Sequence, residues 1–200
     1  MNLSIITILL TLFFGGDPKG KDQVVTIHTD FGDVTLLLSD KTPLHKANFL
    51  KLAEEGFYNG TTFHRVIDNF MIQGGDPNTK DDDPTNDGLG DPGYTIPAEF
   101  VEELTHNKGV IAAAREPDRA NPSKASNGSQ FYIIENEEGY HPLDGKYTVF
   151  GEVIKGIEVV EKIAVQKKDG RNKPLEDIKM TITVKKMSKK KIQKLYGYTY

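Results

Sequence analysis

Ile178, Met180, Ile182 and Val184 alternate with Lys179, Thr181 and Thr183, a period of two that suits an extended strand with one buried face. The same short-run character recurs along the chain. Val25-Thr26-Ile27 and Val34 to Leu38 are two strand-like runs separated by Asp30-Phe31-Gly32-Asp33, and a short glycine-containing link of this kind reads as a hairpin. Val110 to Ala114, Phe131 to Ile134 and Thr148 to Val153 are strand-like, and Thr61 to Ile72 fits strands joined by a tight connection. Two stretches have helical spacing instead. One opens at Thr42-Pro43, carries Leu44, Ala47 and Leu50 with Phe49, Leu52 and Ala53 widening the stripe, and stops at Gly56, as an N-cap, a first-turn proline and a terminating glycine dictate. The other is marked by Ile157, Val160 and Ala164. Many short strands, two helices, no repeat and no βαβ rhythm specify a mainly β fold in one domain.

Charge and composition exclude several functions. A net charge of −4 argues against a general nucleic-acid binder, which needs Lys and Arg in excess on one face. The absence of cysteine removes disulfides, thiolate metal sites and a Cys nucleophile. Asp76 to Gly93 is rich in Asp, Pro, Gly and Asn and reads as a long surface loop. Its Asp81-Asp82-Asp83 and Asp87 lack the alternating ligands and closing Glu of a calcium loop, and the five histidines form no metal pattern, so neither metal nor cofactor is expected. Ser129 lies in Gly128-Ser129-Gln130, outside the nucleophile-elbow pattern of serine hydrolases.

The N-terminus carries a compartment signal. Leu3 to Phe14 is almost unbroken apolar sequence followed by Gly15-Gly16 and Asp17-Pro18-Lys19, too short for a membrane span and suited to the core of a secretory leader. The expected organisation is a leader over 1–16, a linker over 17–23, one domain over 24–186 and a basic tail over 187–200. Export to the periplasm or cell envelope is expected, with membrane contact only through an uncleaved leader; the chain stays cytoplasmic if the leader is not a signal.

The chemistry concentrates in Phe63-His64-Arg65-Val66-Ile67-Asp68-Asn69-Phe70-Met71-Ile72-Gln73-Gly74-Gly75-Asp76. An Arg and a Gln stand there among aromatics and a glycine pair; on residue type alone Arg65 is equally a surface ion pair. The run from Gly56 to Val66 and on through Phe70 to Pro77 resembles the cyclophilin signature. Asn127-Gly128-Ser129-Gln130-Phe131-Tyr132-Ile133 resembles that family's second block, and Leu143-Asp144-Gly145-Lys146-Tyr147-Thr148-Val149-Phe150-Gly151 its third. The resemblance spans roughly Val24 to Val184. It implies a closed eight-stranded antiparallel β-barrel capped by two α-helices, a monomer, and peptidyl-prolyl cis/trans isomerase activity on proline-containing polypeptides that are folding or being exported. A peptide-binding module of the same fold is the alternative, although a pure binder has no need of the Arg.

The resemblance also implies residue roles. Arg65 takes the catalytic position; Phe70, Met71, Tyr132 and Leu143 line the proline slot; Gln73, Ala113, Ala114 and Arg115 hold the flanking peptide; Gln130 and Tyr147 belong to the same surface. Phe131 faces the opposite way, since strand neighbours alternate. Departures from the family stand at Tyr132, where most members have Phe, so that a hydroxyl needs a partner; at Tyr147, where eukaryotic relatives commonly have His; and at Pro142, where many carry a cyclosporin-holding Trp. Arg115 to Ala125 is longer than the matching turn in compact members. Replacing an indole by the small donor-free ring of Pro142 removes an anchor worth on the order of 2 kcal/mol, or about thirtyfold in affinity. Cyclosporin is therefore expected to inhibit this chain weakly while X-Pro turnover persists, and Pro142→Trp to tighten inhibition; tight inhibition of the wild-type chain refutes this.

Overall fold

The computed structural model describes residues 20–200. The leader over 1–16 lies outside them. Strand β1 (Lys21–Thr29) turns through Asp30-Phe31 into β2 (Gly32–Leu38), with Thr29 paired to Gly32 and Gly32 at φ 127°, a backbone angle that glycine tolerates. Helix α1 (Pro43–Glu54) follows. Thr42 is at its N-cap position with Pro43 behind it, and Gly56 at φ 72° ends it, as the sequence predicts. Then come β3 (Phe63–Ile67), β4 (Met71–Gly74), the short β5 (Thr95–Ile96), β6 (Val110–Ala113), the short β7 (Ser126–Asn127), β8 (Phe131–Ile134), β9 (Val149–Lys155), helix α2 (Ile157–Ala164) and β10 (Thr181–Ser188).

Eight of these strands form one antiparallel sheet in the order β10-β1-β2-β9-β6-β8-β4-β3. The sheet curls but is open, which corrects the expected closed barrel. Its edges β3 and β10 share no ladder. The isolated bridge Thr62–Lys179 crosses the gap, together with backbone bonds from Gly60 N to Met180 O (2.9 Å), Phe63 N to Ile178 O (3.0 Å) and Met180 N to Thr61 O (2.8 Å). One bridge cannot propagate as a strand, so Ile178 and Met180 lie before β10 although both are buried.

The concave face holds the main core, in which Val25, Ile27, Leu36, Val66, Ile72, Ile111, Phe131 and Ile133 meet Phe49 of α1 and Val160 and Ile163 of α2. Phe49 sits 4.9 Å from Tyr58, 5.5 Å from Phe131 and 5.6 Å from Phe150, centroid to centroid, distances at which aromatic pairs add to simple burial. A second cluster on the convex face gathers Met71, Val110, Ala112, Tyr132, Ile134 and Val149.

Residues outside the expected domain limits are ordered into the fold. Lys21 to Gln23 already belong to β1, and the basic C-terminal stretch is a third helix, α3 (Lys189–Tyr196), capped by the Ser188 hydroxyl. The helix forms because Ile192 is wholly buried against Val24 and Leu37, while Lys190, Lys191 and Lys194 face solvent. Asp76, read as the start of a surface loop, is fully buried.

His45, His64 and His106 are also buried. His45 Nδ1 is 2.7 Å from Glu99, and its Nε2 is 2.9 Å from Ser126 Oγ. Neither ring nitrogen of His64 has a hydrogen-bond partner. Burial pulls all three below the usual 6.5, outweighing the opposing carboxylates. The unfolded chain therefore takes up protons that the folded chain refuses, so stability is full above 6.5 and falls as the pH drops through and below it. Glu99 and Asp144, held below their usual 4.5 and 3.8, lose their contribution only at lower pH. The urea midpoint is expected to be lower at about pH 5.5 than at about pH 7.5; equal midpoints contradict neutral burial of these rings.

Candidate active site

The β3–β4 hairpin sets the first two polar groups. Its register shifts between Phe63 and Arg65, and this bulge lets Phe63 and Val66 both enter the core while Arg65 stands opposite Gln73. Arg65 Nη1 donates to Gln73 Oε1 at 3.2 Å and lies 4.0 Å from Met71 Sδ; its guanidinium carbon is 6.0 Å from the centre of the Phe70 ring. Among the described residues no carboxylate pairs with Arg65. Burial draws its pKa below the ordinary guanidinium range, yet a guanidinium stays charged.

Gln73 passes this orientation inward. Because its oxygen accepts from Arg65, its Nε2 donates to Gln130 Oε1 (3.0 Å), and Gln130 Nε2 donates in turn to the carbonyls of Gly88 (3.0 Å) and Gly90 (2.8 Å). Those glycines are held by the buried Asp76 carboxylate, which accepts from the N–H groups of Asn78, Gly88 and Gly90. Gly75 makes the close approach to β8 possible: its φ is 85°, and a Cβ there would lie 2.5 Å from Ser129 O.

A cavity of ≈ 230 Å³ opens beside Arg65, lined by Arg65, Phe70, Met71, Gln73, Ala114, Arg115, Tyr132, Leu143 and Tyr147. Nine residues singled out in the sequence thus surround one space. Gln130 lies behind it, bonded to Gln73. Ala113 does not line the cavity: its side chain joins the main core, because β6 alternates and turns Ala112 and Ala114 to the convex side.

Tyr132 forms one wall. Its ring meets Tyr147 edge-on at 6.0 Å, and Tyr147 is braced by the Arg115 guanidinium 4.5 Å from its centre. Arg115 is itself held by Lys146 O at 2.8 Å and Asp118 at 2.7 Å. The Tyr132 hydroxyl meets His106 Nε2 at 2.9 Å, and His106 Nδ1 meets Asp144 Oδ1 at 2.8 Å. Tyr140 packs on Phe70 with ring centres 4.4 Å apart. The parts of His106 and Tyr140 in the pocket are not foreseeable from sequence; the only sign is that a phenol on an apolar wall needs a partner.

The arrangement offers an apolar slot beside an anchored, uncompensated cation. None of the lining residues is a Ser or Cys nucleophile. Such a site suits a reaction that requires stabilisation of a distorted substrate rather than covalent catalysis.

Comparison with known proteins agrees. Residues 24–185 match the family described as Cyclophilin type peptidyl-prolyl cis-trans isomerase/CLD. The chain is 39% identical over 161 residues to a peptidyl-prolyl cis-trans isomerase-like 3 from Dictyostelium discoideum, covering 77% of this chain and 89% of that one. A crystal structure of a Cryptosporidium parvum cyclophilin type peptidyl-prolyl cis-trans isomerase superimposes with a TM-score of 0.71 at 31% identity, covering 82% of this chain and 97% of that one. A second structure of that protein, in the presence of the dipeptide Ala-Pro, gives a TM-score of 0.69 at 30% identity, covering 81% and 98%. By motif, fold and sequence this chain belongs to the cyclophilin-type peptidyl-prolyl cis-trans isomerases.

Proposed function

We propose that Arg65 is the catalytic residue and that the cavity beside it receives the proline ring of an X-Pro peptide. Rotation about that bond must break amide resonance, a barrier of about 18–20 kcal/mol, and no covalent bond is made or cleaved. What is required is tighter binding of the twisted amide than of either planar form. A guanidinium at the slot's edge can donate toward the prolyl nitrogen as its lone pair localises, and can hold the substrate carbonyl. The observation that carries this reading is that Arg65 is oriented by Gln73 and has no carboxylate partner among the described residues, so its charge is available to a ligand. The Ala-Pro dipeptide named for the Cryptosporidium structure supports proline-containing polypeptides as substrates. Phe70, Met71, Tyr132 and Leu143 would grip the ring, while Gln73, Ala114 and Arg115 would flank the peptide.

Arg65→Ala is expected to lower kcat/KM on an X-Pro peptide by about a hundredfold with an unchanged circular dichroism spectrum. Activity within a few-fold of wild type overturns the assignment.

We also infer that the protein acts on exported clients, supported by the apolar run from Leu3 to Phe14 and the small residues behind it. The native protein is expected outside the cytoplasm with a new N-terminus near Asp17. N-terminal sequencing that reads Met1 in a soluble cytoplasmic fraction refutes export.

A further inference from the structure

Tyr132 puts a hydroxyl on a wall that needs only an apolar plate, and the surrounding structure is built around that hydroxyl. His106 is wholly buried, and its ring lies nearly parallel to Tyr132, 13° between planes at 6.0 Å. Its backbone is clamped from both sides: His106 N donates to Asp144 Oδ1 at 2.7 Å, and Tyr140 N donates to His106 O at 2.7 Å. Asp144 also accepts from His141 Nδ1 at 2.9 Å, and its carboxyl is held below the usual 3.8 by its backbone and histidine hydrogen bonds, against the opposing pull of burial. An ionised carboxylate only accepts, so His106 Nδ1 carries a hydrogen directed at Asp144. In the neutral ring Nε2 is then the acceptor, and the Tyr132 O–H donates to it.

We propose that His106 and Asp144 are positioning residues of the isomerase pocket: the chain Asp144–His106–Tyr132 holds the aromatic wall in place, and protonation of His106 strips the Tyr132 hydroxyl of its acceptor. The proposal rests on the cavity being the proline pocket. Once Nε2–H becomes a donor, the phenolic oxygen must accept from it, and the phenolic hydrogen becomes an unpaired donor on the pocket wall. A proline ring has nothing to accept that hydrogen, so covering it in the acid form leaves a desolvated donor unsatisfied. The effect falls on peptide binding and therefore on KM more than on kcat.

The groups facing this chain are few. Asp144 and His141 face His106, and Tyr147 and Arg115 stand nearest Tyr132 on the other side. Burial moves the protonation of His106 below 6.5, so the neutral, binding-competent arrangement prevails at neutral pH.

Two measurements on the full chain test this. In protein carrying ¹⁵N-labelled histidine, the His106 ring is expected as the Nδ1–H tautomer at neutral pH, titrating below 6.5; an Nε2–H tautomer, or an imidazolium persisting at neutral pH, overturns the proposal whether or not the protein turns over substrate. Second, KM for an Ala-Pro peptide is expected to rise about tenfold as His106 titrates in the wild type, and to change by less than about twofold across the same range in Tyr132→Phe. The same rise in Tyr132→Phe would assign the pH effect to another group and overturn the proposal, as would a flat wild-type profile. Because the tautomer is read without turnover, this failure is distinct from failure of the Arg65 experiment.

Discussion

The pairing of β4 with β8 is the interaction on which both the core and the site depend. Gln73 lies opposite Tyr132 and Gly74 opposite Phe131. In that register Phe131 enters the aromatic cluster with Phe49, Tyr58 and Phe63, while Met71 and Tyr132 face outward beside Arg65. A slip by one residue would exchange the two faces. A slip of β8 would turn the Tyr132 phenol into the core and take Phe131 and Ile133, two of the largest core side chains, out of it. The apolar driving force that folds the sheet is therefore the same force that aims the site.

A second layer of organisation is polar. Asp76 ties down the N–H groups of Asn78, Gly88 and Gly90, the carbonyls of Gly88 and Gly90 then receive Gln130, and Gln130 receives Gln73. Each amide has its direction set by the one before it. The result is an Arg65 whose position is determined by a buried carboxylate several bonds away, with no counter-ion among the described residues beside the guanidinium to neutralise it. Pre-organisation of this kind places the reorganisation cost in folding rather than in the chemical step.

The His106 clamp organises the opposite wall by the same logic. Tyr140 reaches Phe70, Asp144 reaches His106, and Leu143 between them lines the cavity. One short segment therefore touches two walls of the pocket and supplies part of a third surface. The C-terminal helix adds another instance of local sequence yielding to packing: a stretch dominated by lysines becomes helical because Ile192 has an apolar seat on β1 and β2.

Much of this was legible in the linear chain. Period-two runs marked most of the strands, Thr42-Pro43 and Gly56 bounded α1, and the resemblance to cyclophilins identified Arg65, Phe70, Met71, Gln73, Ala114, Arg115, Tyr132, Leu143 and Tyr147, all of which meet at one cavity. These features are local or carried by motif, so position along the chain suffices to find them. Tertiary structure alone decided that the sheet stays open at a single Thr62–Lys179 bridge, that Ala113 turns inward, that the lysine-rich end folds onto β1 and β2, and that the Tyr132 hydroxyl is answered by His106. Each of those outcomes depends on which distant segments come within hydrogen-bond or van der Waals reach, and residue order does not encode that distance until the sheet has curled.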